Sequence, residues 1–155
     1  MSGANLNAIE TSVPFLTIAP DARAAGMGDV GVASLPDVNS QYWNVAKYAF
    51  IDDRGGVSLN YTPWLRDIIP DINHAYLSGY FKPTQKQAIS TSLRFLSLGE
   101  VTMLSGASFR PYEMAIDLGY SRQLSRNFFL GAAARYIHSN LAGNSPIPGP
   151  DTKIG

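Results

Sequence analysis

No cysteine occurs in the 155 residues. Disulfides, Cys-ligated zinc, iron–sulfur clusters and a cysteine nucleophile are excluded at once. Charge is scarce too. Asp, Glu, Lys and Arg make up 15% of the chain, against about 25% in soluble domains. A surface that meets only water usually carries more. The 12 basic and 12 acidic residues cancel to a net charge of zero, so nothing pulls the chain toward nucleic acid. His74 and His138 are the only histidines. Neither has an acidic residue at metal-ligand spacing, so no metal and no cofactor are expected. No G-x-S-x-G is present, which leaves a serine hydrolase without support. Met1-Ser2-Gly3 shows no basic region followed by an apolar stretch, so no signal peptide is visible. The longest apolar run, Phe128–Ala134, falls far short of the ~20 residues that a membrane-spanning helix needs.

What is present is turn formers and alternation. The chain has 14 Gly and 10 Pro, with 8 Tyr and 7 Phe. Residues 1–55 are rich in Gly, Pro, Ala and Asp and hold no sustained period. Pro14, Pro20 and Pro36 interrupt any long element there, although a short helix near Arg23 is compatible with the pattern. From Gly56 onward a period of two takes over. Val57, Leu59 and Tyr61 alternate with Ser58, Asn60 and Thr62. Four similar segments follow, around Ala75–Phe81, Ile89–Phe95, Tyr112–Tyr120 and Phe128–Tyr136. They run to about ten residues, beyond the usual ~5–6 of soluble strands and near the ~9–11 that a tilted strand needs to cross a bilayer.

The links also alternate. Pro63–Asp71, Gly99–Pro111 and Leu141–Gly155 are long; Lys82–Gln87 and Arg122–Arg126 are short. Outer-membrane barrels are wired this way, with the short turns toward the periplasm. An antiparallel register then pairs the second and third segments as Phe81–Ile89, Leu77–Leu93 and Ala75–Phe95, with Ser78–Ser92 and Tyr76–Arg94 on the other face. For the fourth and fifth it suggests Tyr120–Phe128, Leu118–Leu130, Ile116–Ala132, Met114–Ala134 and Tyr112–Tyr136, with Glu113 meeting Arg135 behind them. Tyr112 and Tyr120 lie eight residues apart, about 27 Å along a strand at ~3.4 Å per residue. Tilted by ~40°, that is about 21 Å of height, close to the ~25 Å apolar band between aromatic girdles. The expected fold is an all-β, antiparallel transmembrane β-barrel. Its polar inner side would include Ser58, Asn60, Thr62, Ser90 and Ser92 and the charged Arg94, Glu113, Asp117 and Arg135. A soluble β-sandwich also alternates, but low charge, long strands and lopsided loops argue against it.

Other motifs carry less. Gly26-Met-Gly28-Asp-Val-Gly31 matches the letters G-x-G-x-x-G, with Asp52 about twenty residues on. A dinucleotide site needs a strand before the glycines and a helix after them; Pro20 precedes and Pro36 follows. These glycines are better read as places where backbone packs closely. Glu113 and Asp117 could be drawn as a glycosidase pair. Their spacing along a strand, about 13–14 Å, exceeds the ~5–9.5 Å that chemistry uses, and structural charges on a wet inner face fit better. Asn60-Tyr-Thr62 reads as a glycosylation sequon but falls within a strand.

The stretch Val13-Pro-Phe-Leu-Thr-Ile-Ala-Pro-Asp-Ala-Arg-Ala-Ala-Gly-Met-Gly-Asp-Val-Gly-Val-Ala33 resembles the N-terminal signature of the PorV family. The likeness continues through Asp37–Phe50, Ser58–Trp64, Ser92–Gly99 and Ala115–Leu124. One departure is Val45, where that superfamily usually has Pro in a W-N-P-A motif. The resemblance implies a FadL-like barrel of about 14 strands in the Gram-negative outer membrane. Residues 1–55 would be an N-terminal hatch or plug in the lumen, built on Gly26, Gly28, Gly31, Tyr42, Trp43 and Asn44, with Tyr48 and Phe50 as further anchors. Residues 56–155 would be the first strands of the wall. Five strands cannot close a barrel, so the chain is expected to be a piece of a longer polypeptide. The implied role is in the type IX secretion system. There the protein receives secreted cargo through a C-terminal signal domain and carries it from the translocon pore to the attachment complex. It would not be an enzyme. Its other partner would be outer-membrane lipid. A FadL-like channel for hydrophobic small molecules is the alternative; it would need an apolar pocket where a cargo holder needs exposed loops. The polar inner side disfavours it mildly.

Overall fold

The structure, a computed structural model, describes residues 14–64, 72–102 and 108–141. Five long strands form one antiparallel sheet in the order β1-β2-β3-β6-β7: β1 Gly55–Trp64, β2 Ile72–Thr84, β3 Gln87–Leu98, β6 Tyr112–Ser125 and β7 Phe128–Asn140. Between β3 and β6, the two-residue strands β4 Val101–Thr102 and β5 Ser108–Phe109 pair as a small ribbon. The fold is mostly antiparallel β. No helix among the described residues is long and apolar enough to cross a membrane. The sheet is open, with β1 and β7 at its edges. Before it come a 3-10 turn at Pro14–Thr17, helix α1 Ala22–Gly26, helix α2 Ser40–Trp43 and a 3-10 helix at Val45–Phe50. The helix near Arg23 is therefore present.

The strands have 10, 13, 12, 14 and 13 residues, longer than the alternation alone marked out. The short links are two-residue turns, Gln85–Lys86 and Arg126–Asn127, because the strands run on through most of Lys82–Gln87 and Arg122–Arg126. At the other end, Pro63 belongs to β1, opposite Asn73. It is tolerated because β1 is an edge strand whose lost N–H breaks no central ladder. The rest of the long links Pro63–Asp71 and Gly99–Pro111 and of Leu141–Gly155 falls partly outside the described residues.

The β2–β3 register is as the alternation predicts, including Phe81–Ile89, Leu77–Leu93, Ala75–Phe95 and Tyr76–Arg94. The β6–β7 register is not. Ile116 faces Tyr136, Leu118 faces Ala134, Tyr120 faces Ala132, and Asp117, not Glu113, faces Arg135. Glu113 stands opposite Ser139 instead. The expected aromatic pairs Tyr120–Phe128 and Tyr112–Tyr136 do not form. Tyr112 stacks on Phe95 of β3, with ring centroids 5.9 Å apart. Period-two alternation is blind to a slip by an even number of residues, since every side chain keeps its face. The turn decides, and Arg126–Asn127 closes the hairpin further along than the apolar pattern suggested. An irregularity between Gln123 and Ser125 shifts the pairing by one residue beside the turn.

Burial is inverted relative to a water-soluble protein. The polar face lies beneath the N-terminal segment: Ser78, Ser90, Ser92, Arg94, Glu113, Asp117 and Ser121 are all buried. The apolar face is bare, with Val57 77% and Leu118 61% exposed, and Leu59, Phe81, Ile89, Phe128 and Tyr136 also exposed. Most of the buried apolar residues among those described gather into two small clusters. Val45, Tyr48, Tyr80 and Ala88 form one; Phe15, Leu96 and Ala115 form the other.

The β6–β7 register is open to a cross-linking test. Ile116→Cys with Tyr136→Cys places directly opposed residues within disulfide reach. Mild oxidation should cross-link that pair and leave Ile116→Cys with Ala132→Cys largely reduced. The reverse result would restore the register drawn from alternation.

Candidate functional site

The feature of the molecule that organises everything else is the seat of the N-terminal segment on the polar face. Its first helix is fixed by a cap. Asp21 accepts the Ala24 N–H at 2.7 Å, the N-cap arrangement expected of Asp. Its other carboxylate oxygen accepts the Trp43 indole N–H at 3.4 Å, which ties α1 to α2. Arg23 and Asp37 form an ion pair at 2.9 Å. Asn44 caps the 3-10 helix by accepting the Ala46 N–H at 3.1 Å. Lys47 is buried and donates to the Gly31 carbonyl at 2.8 Å and the Ser34 hydroxyl at 3.1 Å. Burial holds its ammonium below the usual lysine range, with Asp37 opposing that shift. The Tyr48 hydroxyl accepts the Gln41 N–H and donates to the Val38 carbonyl. Burial pushes its phenol well above the ordinary tyrosine range.

Contacts from segment to sheet are hydrogen bonds between neutral groups, two buried cations that donate to backbone carbonyls, and ring contacts. Asn39 accepts from Asn60 at 3.2 Å and Ser78 at 2.9 Å. Gln41 accepts the Ser90 hydroxyl at 2.5 Å. Lys82, buried on β2, donates to the carbonyls of Ala49 and Ile51. Tyr48 stacks on Tyr80, with centroids 5.0 Å apart, and Phe50 on Phe129 at 3.6 Å. Arg94 donates to the Leu16 carbonyl at 3.2 Å. Its guanidinium lies 4.6 Å from the Tyr42 ring and 5.6 Å from that of Tyr76, in cation–π range. Tyr42 donates to the same Leu16 carbonyl at 3.1 Å.

The expected site residues take unequal parts. Tyr42, Trp43 and Asn44 all hold the segment together. Gly31 sits under the Trp43 indole, where a Cβ would overlap the ring. Gly26 and Gly28 do not pack: a Cβ on either would meet nothing within 4 Å. Gly28 is required for its backbone, with φ of +81°. Close approach instead comes from glycines of the wall. A Cβ on Gly131 would lie 2.5 Å from the Ala46 nitrogen, and one on Gly119 would strike Ser90, Gln41 and Val45. Among the charged residues of the inner face, Arg94 meets the segment directly. Asp117 is bound within the sheet, accepting from Ser92 at 3.0 Å and from Arg135 at 2.5 Å. Glu113 accepts from Ser139 at 3.0 Å. The segment's own charges do not pair with them: no ion pair among the described residues links segment to sheet. Gly119, Gly131, Lys82 and Gln41 were missed by sequence reasoning. The signal for the glycines was available: a Gly at a polar-face position of a long strand marks close backbone approach.

Gly131→Val should therefore lift Val45–Ala46 and cost about 1–3 kcal/mol, the usual penalty of overpacking. Gly26→Ala should change stability by less than about 0.5 kcal/mol. Reversible unfolding, with limited proteolysis of residues 14–50 as a second readout, separates the two. Equal effects would mean the segment does not rest on β7.

A protein-family comparison bears on this arrangement as a whole. The model of the family described as "Type IX secretion system protein PorV" matches residues 1–147. No curated protein matches the chain. The family match takes in the segment, its seat and all five long strands, and so covers the structure as one unit. The chain belongs to the PorV family of type IX secretion system proteins.

Proposed function

We propose that this chain is the plug and first wall of an outer-membrane β-barrel of about 14 strands. In this reading the barrel receives secreted cargo through its C-terminal signal domain and passes it from the translocon pore to the attachment complex. The observation that carries the membrane part is the inversion of the sheet. Its polar face is covered by its own N-terminal segment, while a continuous apolar face is left bare. Such a face is costly in water and favourable against lipid tails. Strands of 12 to 14 residues in β2, β3, β6 and β7 exceed the ~9–11 needed for a tilted crossing. Further strands would pair with the open edges of β1 and β7, since an unpaired edge is not tolerated in lipid. The two-residue turns would then face the periplasm and the longer links the outside. The family supports the secretion role. The protein acts by binding and hand-over, without chemistry of its own.

A second reading is favoured by one observation. Phe15, Ile18, Ile72, Leu96 and Leu98 line an apolar cavity of about 560 Å³, with Glu113 at its wall. A channel for hydrophobic small molecules would use such a space.

Full-length protein in detergent, titrated with an isolated C-terminal signal domain, separates the two. Saturable one-to-one binding that excess fatty acid does not displace is expected. Fatty-acid binding without signal-domain binding would leave the channel reading in its place. The lipid face has its own test. Ile116→Arg should cost ~2–4 kcal/mol at mid-membrane in the complete barrel, and a cost under about half a kcal/mol would put that face in water.

A further inference from the structure

One cavity of about 420 Å³ lies between α1 and the β1–β2 pair, away from the seat described above. Its lining includes Asp21, Asp29, Thr62 and His74, with Ile18 and Ala22 as apolar wall. Thr62 stands two residues before the end of β1, and His74 two residues after the start of β2. The cavity therefore lies at the end of the sheet that carries the longer links. Three observations together describe what would fill it.

The first is charge. Asp21 spends its oxygens on neutral N–H donors, the Ala24 amide and the Trp43 indole, and no cation among the described residues touches it. The Asp29 backbone N–H donates to the Ala24 carbonyl at 2.8 Å, while its carboxylate makes no hydrogen bond or ion pair among the described residues. Arg23, the basic residue of α1, is held by Asp37. The second is His74. It is 2% exposed, and its Nε2 has no hydrogen-bond partner among the described residues. A buried polar nitrogen left alone costs about 1–3 kcal/mol, and a partner entering the cavity would remove that cost. The third is spacing. No three acidic or histidine side chains among the described residues converge closely enough to hold a metal ion. A bare divalent cation, which needs its oxygens within ~2.0–2.6 Å, does not fit.

We propose that this cavity is a binding site for an alkyl cation, an ammonium or guanidinium on a short aliphatic stem. The stem would run along Ile18 and Ala22. The cationic head would meet Asp29 and Asp21, with His74 Nε2 as a further acceptor. A guanidinium suits separated acceptors best, because its five donors fan out in a plane. The same chemistry can come from a free amine or from a Lys or Arg side chain of a polypeptide. The proposal stands independently of the membrane reading.

The test uses the full-length protein in detergent, with butylguanidinium as probe and neutral n-butanol as control. Binding is followed by the ¹⁵N shift of the His74 imidazole and by calorimetry. Saturable binding of butylguanidinium without binding of n-butanol is expected. Asp29→Asn should weaken it at least tenfold. Asn accepts the left-handed backbone that Asp29 adopts, at φ of 58°, so that variant should fold normally. No saturable shift, equal binding of n-butanol, or full binding by Asp29→Asn would each overturn the site. A Gly-Arg-Gly peptide distinguishes the sources. Tighter binding than butylguanidinium points to a polypeptide side chain and equal binding to a free amine, and either upholds the site.

Discussion

A sheet that turns its apolar face outward must satisfy a polar face within, and that constraint governs this chain. Buried hydroxyls and charges are tolerated only with partners. Ser78, Ser90, Ser92 and Arg94 are each covered, and the partners come from two sources. Asp117 serves Ser92 and Arg135 from within the sheet. Asn39, Gln41 and the Leu16 carbonyl serve Ser78, Ser90 and Arg94 from the N-terminal segment. The segment is thus the second half of the hydrogen-bonding account of the wall. Its short helices have too few residues to be stable alone. They hold their shape because caps and the seat fix them.

Arg94 shows how far this dependence goes. It is wholly buried, and no carboxylate among the described residues pairs with it. Its cation rests between the rings of Tyr42 and Tyr76 and donates to one carbonyl. Nε and Nη2 have no partner among the described residues. A buried guanidinium so placed fixes geometry more than it adds stability. Its fork must meet Leu16, and its face must meet Tyr42, which donates to the same carbonyl. One side chain of β3 thereby sets where the start of the segment lies.

Much of the wall was legible from alternation, because a strand with one apolar and one polar face writes its period directly into the sequence. All five long strands, their faces and the β2–β3 register could be read so. The β6–β7 register could not, since alternation survives an even slip and the Arg126–Asn127 turn chose among the options. Glu113 and Arg135 both belong on the polar face, yet they are not partners for that reason alone. Within the segment, Tyr42 and Trp43 announced themselves by size and Asn44 by the family resemblance, while its capping role came only from the structure. Gly26 and Gly28 misled, because a glycine can serve backbone conformation or close packing and the letter does not say which. Lys82 and Gln41 gave no local signal at all. Their roles depend on carbonyls and hydroxyls that chain topology brings to them from more than thirty residues away.

The kind of bond at the seat also has a consequence for how the segment is held. Pairs such as Arg23–Asp37 stay inside the segment, and Arg135–Asp117 stays inside the sheet. Between the two, among the described residues, run hydroxyl and amide bonds, the bonds of the buried Lys82 and Arg94 cations to backbone carbonyls, and stacked rings. Salt screens exposed ion pairs but leaves neutral bonds and buried rings largely untouched. The glycine floor adds a steric term of the same character: Val45 and Ala46 lie against Gly119 and Gly131 with no room for a Cβ. Contact this close means that a small lift of the backbone forfeits much of the dispersion attraction. Several hydrogen bonds break with it, the neutral ones each worth about 0.5–1.5 kcal/mol. The portion from Asn39 to Ile51, which carries nearly all of these contacts, is therefore built as a fixed wedge. The portion from Ala22 to Leu35 makes no hydrogen bond to the sheet among the described residues; Lys47, Trp43 and the Arg23–Asp37 pair tie it to the wedge instead.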